Sequence, residues 1–237
     1  MNAHFRQGLR DASATLGRTW SIATAAACLC TLALAGVLEG QAVTTAEGAR
    51  DAQLRLLAGV VFGLVLPLLA FGVSARLGGT LRELMTTSWA RYGGDRQGYA
   101  LGRQALAVLL TGVVAAVLGL LALGIGSATA QPGLELPFSF GNGLAVVWVG
   151  LLGSLAYTIA FATAHAYAGN TGRTVFLIAD WLFGTGTSLL ALPWPRSHLG
   201  ALLGGHAPLG LGERESALCL VGIAIVATLL YVRRIPR

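Results

Sequence analysis

Along the chain, apolar residues do not alternate with polar ones; they collect in six runs, and the segments between them hold nearly all the charge. The runs cover residues 20–37, 56–74, 105–127, 144–164, 174–192 and 216–232. Each reaches or approaches the roughly 20 residues that a helix needs to cross a bilayer. Inside hydrocarbon the backbone amides have no water to bond, so a crossing segment must be a helix or a barrel strand. Uninterrupted apolarity favours the helix. The pattern predicts an all-α, polytopic membrane protein: a single transmembrane domain with six spans.

The polar segments give the runs a direction. If the N-terminus is cytoplasmic, the inside segments hold twelve of the sixteen arginines, and only Arg50, Arg55, Arg196 and Arg214 fall outside. The positive-inside rule then places both termini in the cytoplasm and the protein in the cell membrane. Trp20, Tyr99, Tyr167 and Tyr231 near the inner boundaries and Trp194 near the outer one suit an aromatic belt. Residues 1–18 read as an amphipathic helix along the inner leaflet, with Phe5, Leu9 and Leu16 on one face and arginines beside it. The same residues, with "LALAG" after them, have the outline of a secretory signal. Removing that first run would leave five spans and move one terminus across the membrane, so a retained span is the expectation.

Composition agrees with the pattern. The chain has 237 residues, 55% of them hydrophobic and 11% charged. Soluble domains usually carry about a quarter charged residues. A net charge of +6 does not make a nucleic-acid surface here, because the arginines stand at the ends of apolar runs instead of in one stripe. All the basic residues are arginine, so a phosphate loop GxxxxGK[ST] is impossible in this chain. Cys28, Cys30 and Cys219 lie inside apolar runs and read as small hydrophobes.

Between the second and third runs stands "GGTLRELMTTSWARYGGDRQGYALGRQ", with Arg82, Arg91, Arg96 and Arg103 and the acids Glu83 and Asp95. Thr80 and Glu83 have the spacing of a capping box. Apolar residues recur at Leu81, Leu84, Met85, Trp89 and Tyr92, and Gly93-Gly94 offers a stop. This predicts a short amphipathic helix over 79–93, outside the membrane, resting on headgroups or docking a soluble partner.

The stretch "ARLGGTLRELMTTSWARYGGDRQGYALGRQAL" resembles the segment after the second span in membrane subunits of the type-2 ATP-binding-cassette (ABC) exporters. There a Gly-Thr-Leu helix precedes an arginine and then a Gly-Lys pair at the third span. Gly79, Thr80 and Leu81 match the first element and Arg91 the second, while Gly102-Arg103 replaces Gly-Lys with its charge kept. The acid usual before Gly-Thr-Leu is absent, and a proline common in the loop is missing near Trp89.

The resemblance implies that Thr80, Leu81, Glu83, Leu84, Met85, Trp89 and Arg91 form a coupling helix touching an ABC ATPase subunit. It also implies a second permease copy, with ATP and magnesium bound by the ATPase and no cofactor in this chain. The outer segment 193–215 would dip into the membrane as short re-entrant helices. "HLGALLGGHAPLGLG" is apolar and Gly-rich but too broken to span.

Asp180 is the one acid well inside a run, and Gly184 and Thr187 follow at i+4 and i+7. Together they make a small polar helix face, which either lines a substrate path or packs on a neighbour with Asp180 bonded to Arg173 or simply protonated. No catalytic centre is evident. Ser154 and His165 would lie about 16 Å apart along one helix, and His4, His165, His198 and His206 show no ligand spacing. The expectation is a non-enzymatic transport subunit. A non-transporting scaffold or assembly factor that recruits a soluble partner is the rival.

Overall fold

Every regular element that the computed structural model places is helical, over residues 3–15, 18–41, 46–77, 95–128 and 140–235. In chain order, α1 is Ala3–Thr15 and α2 is Arg18–Gln41. The third helix, α3, starts as Ala46–Arg55, widens into a π-helix over Leu56–Val65 and returns to α geometry in Leu66–Leu77. Then come α4, Arg96–Ala128, and α5, Phe140–Phe183. A short α6, Pro195–Leu202, precedes α7, Glu213–Arg234. Residues 79–93, assigned above to a coupling helix, lie outside the described residues.

Among the described residues, four helices are long and apolar enough to cross a membrane: Asp51–Leu77, Arg96–Gly124, Asn142–Phe183 and Glu213–Arg234. Their outward faces are greasy. On α4, Leu109, Val113, Val117 and Leu121 form an exposed stripe at four-residue spacing, while Ala107, Thr111, Ala115, Leu118 and Ala122 are buried. Water would not tolerate so continuous an apolar surface, but lipid does.

The longest of these helices is folded back on itself. Ala168 (φ −133, ψ 18) and Gly169 (φ 60, ψ −145) interrupt it. The Tyr157 hydroxyl nevertheless donates to Asp180 Oδ2 at 2.7 Å across 23 residues. A straight helix would separate them by about 35 Å. Phe161 and Phe176 meet edge to face at 5.2 Å, and both pairs are centred on the same break. The helix is thus two antiparallel arms, 140–167 and 170–183. Gly169 adopts a φ/ψ combination essentially confined to glycine.

The first arm is the hub, packing on α3, α4 and α7. Between Leu152 and Ala162 only Leu155 is not buried, which marks a helix surrounded by protein. The π-helix beside it has a local cause. Pro67 cannot donate an amide to the Gly63 carbonyl and its ring crowds that oxygen, so the turns before it widen, with the Leu66 N–H bonding Val61.

Several features differ from the sequence reading. The third helix begins at Ala46, ten residues before the predicted run, because AEGARDAQLR is polar yet rich in good helix formers. The predicted fifth run ends at Phe183 and not at 192, where Gly184 and Gly186 break the helix. The N-terminal helix buries Gly8 and Ala12 and packs on α4, with Phe5 and Leu9 only half-buried, so small residues set its seat. A Cβ on Gly8 would fall on the Tyr99 carbonyl, and one on Gly102 on the Phe5 carbonyl. Only glycine allows that backbone approach.

Candidate functional site

Two polar constellations stand out in so apolar a chain. The first surrounds Asp180, which is fully buried. A buried polar group without partners costs about 1–3 kcal/mol, and this carboxyl group has two: the Tyr157 hydroxyl and, at 3.3 Å, the backbone N–H of Arg196. Asp180 therefore ties three elements together: both arms of α5 and the first turn of α6. The alternative partner Arg173 is engaged elsewhere. Its guanidinium donates to the Phe71 carbonyl at 3.1 Å and to Asn170 Oδ1 at 2.6 Å, and lies over the Phe71 ring.

Next to Asp180 a cavity of about 290 Å³ opens toward the π-helical stretch, bordered by Gly59, Gly63, Gly184, Thr185, Arg196 and His206. The Arg196 guanidinium sits 5.7 Å from the centre of the Trp181 ring. Gly184 reaches this cavity as the residue just after the helix. Thr187 does not share a helical face with Asp180, because the helix has already ended; it is exposed, and its carbonyl accepts the Leu209 N–H at 2.9 Å. The i, i+4, i+7 face inferred from sequence is thereby reduced to Asp180 and Gly184.

Residues 184–212 form a knot of short turns. A 3₁₀ turn at Leu189–Ala191, helix α6 and a second 3₁₀ turn at Pro208–Gly210 follow one another. The Ser197 hydroxyl lies 2.8 Å from both the Ala191 and Trp194 carbonyl oxygens. His198 Nε2 meets the Leu192 carbonyl at 2.8 Å. Trp194 packs against Phe176 and Phe183, so the knot is anchored on the second arm.

The second constellation is a basic end of the bundle. Arg103, buried, donates from Nε to the Leu77 carbonyl. Gln97 donates to the Val232 and Ile235 carbonyls, both at 3.2 Å, satisfying orphan groups at the end of α7. Arg234 Nε reaches the Ala166 carbonyl at 3.4 Å. The Tyr99 hydroxyl donates to Asp11 Oδ2 at 2.9 Å. These contacts gather α1, the end of α3, the start of α4, the turn of α5 and the end of α7 at one end.

Of the residues chosen from sequence, Thr80, Leu81, Glu83, Leu84, Met85, Trp89 and Arg91 lie outside the described residues. The structure brings Asp180 and Gly184 to one place and leaves Thr187 apart. Tyr157 and Arg196 were missed. A tyrosine in mid-span is a visible oddity, and its distance from the Ala168-Gly169 break equals that of Asp180. Comparison of the chain with protein-family models, curated proteins and solved structures finds no match.

Proposed function

We propose that the chain is the membrane subunit of an ABC transporter of the type-2 exporter kind, moving a substrate across the cell membrane with energy from a separate ATPase. The observation that carries the reading is the order of helical segments. A helix seated on the bundle's basic end is followed by α2, α3, α4, two antiparallel arms and a knot of short turns before the last long helix. On this reading the crossings are α2, α3, α4, each arm of α5, and α7.

The second arm has fourteen residues, or about 21 Å, against a hydrocarbon core of about 30 Å, and the knot at 184–212 makes up the remaining depth as a re-entrant segment. An even number of crossings puts both termini on one side. In agreement, Asp11 of α1 and the end of α7 both meet the first turn of α4, through Tyr99 and Gln97. The arginines there make that side cytoplasmic.

Two copies would form the pathway. The helix over 79–93 would relay motion of the ATPases to the second and third spans, as coupling elements do in two-state transporters. ATP and magnesium belong to the partner, since a chain without lysine has no phosphate loop. Leu84→Pro breaks the predicted helix and tests the reading. The expected outcome is a chain that stays membrane-inserted but no longer retains the ATPase in mild detergent. Retention equal to wild type would reduce the segment to a headgroup anchor.

A further inference from the structure

A groove of about 900 Å³ runs along the outside of the bundle between the second arm of α5 and α7. Its floor is one face of the first arm, where the small side chains of Ala160, Thr163 and Ala164 leave it deep and Tyr167 stands at one end. Leu189, Leu192 and Pro193 border its far end, at the knot. On the α7 wall, Cys219 to Leu230 spans eleven residues, or about 16 Å. The Thr163 hydroxyl is within 2.8 Å of the Ile159 and Ala227 carbonyls, so that hydroxyl is already engaged within the protein.

The near mouth has the opposite character. Arg234 lies 5.7 Å from the centre of the Tyr167 ring and reaches the Ala166 carbonyl, which fixes it there. Arg233 beside it is exposed, and both follow Leu230 by about one turn.

We infer that this groove binds one acyl chain of an anionic membrane lipid, with the headgroup held by Arg233 and Arg234. Two observations select that occupant. The groove's length is about half the roughly 30 Å hydrocarbon core, so it takes a chain from a single leaflet. The basic pair ends the last long apolar helix at the groove's mouth, the level at which a leaflet's headgroups would lie, and basic sites between helices recognise anionic headgroups. The inference is independent of the transport reading.

Native mass spectrometry of the full chain, titrated with phosphatidylglycerol and phosphatidylcholine of matched chains, provides the test. One phosphatidylglycerol is expected to be retained in preference to phosphatidylcholine. Arg233→Gln and Arg234→Gln should each lower that preference about fivefold. Gly222 lines the groove and a Cβ there meets nothing within 4 Å, so Gly222→Leu projects its side chain into the groove and should abolish retention of the lipid. If that variant fails to fold, Val226→Trp, at a residue 57% exposed, occupies the same space. Glycerol phosphate, the headgroup without chains, should not compete. Equal retention of both lipids, displacement by glycerol phosphate, or retention unchanged in the filled variants would overturn the inference. So would a Cys219-linked dimer on mild oxidation, which would seat a second copy in the groove.

Discussion

Replacing Tyr157 by phenylalanine removes one hydroxyl and tests whether the two arms of α5 are held together as described. Asp180 is fully buried and has two partners, the Tyr157 hydroxyl at 2.7 Å and the Arg196 N–H at 3.3 Å. Deleting the shorter contact leaves a buried carboxyl group under-satisfied, at about 1–3 kcal/mol. Hydrogen bonds between membrane helices average about 0.6 kcal/mol and reach about 1.7, so the lower half of that range is the firmer expectation.

A double-mutant cycle with Asp180→Leu isolates the pair. Each single change strands one partner, whereas Tyr157→Phe with Asp180→Leu removes both and should cost little beyond Asp180→Leu alone. The lost Arg196 contact appears in both Asp180→Leu proteins and cancels. Unfolding of the purified chain by SDS in mild detergent, followed by far-ultraviolet circular dichroism, reads the energies. A coupling of about 1–2 kcal/mol is expected. Additivity within about 0.5 kcal/mol would refute the contact and remove the main support for the hairpin.

Other positions give sharper single readings. Gly169→Ala should cost about 1–3 kcal/mol from backbone strain alone, because a side chain there meets nothing within 4 Å yet φ is +60°. Gly200→Ala, equally open but helical, should be neutral or mildly stabilising in the same unfolding assay. Gly102→Ala should lift α1 from α4, at about 1–3 kcal/mol, with amide exchange over 3–15 rising while that of α7 is unchanged.

Much of the architecture was visible as hydrophobic pattern. The first, second, third, fourth and sixth apolar runs lie within helices, and Arg103 and Arg234 meet backbone carbonyls at one end of the bundle, because desolvating charge and pairing backbone amides are constraints written residue by residue. The gap read between 164 and 174 contains the reversal at Ala168-Gly169. The misplaced boundaries came from treating apolarity as helix. A polar segment such as AEGARDAQLR is helical without being greasy, and an apolar one such as "SLLALPW" is greasy without being a long helix. The partners of Asp180 were illegible because they depend on how two arms meet, and sequence offered nearby Arg173 where tertiary structure supplied Tyr157 and the Arg196 backbone.

Copurification from native membranes in mild detergent decides whether the chain is paired with a soluble, ATP-driven subunit. A soluble subunit carrying a GxxxxGK[ST] loop is expected to be retained, to hydrolyse ATP and to be lost with Leu84→Pro. A preparation in which no such ATPase accompanies the chain, while other soluble partners do, would contradict that pairing and make the protein a scaffold.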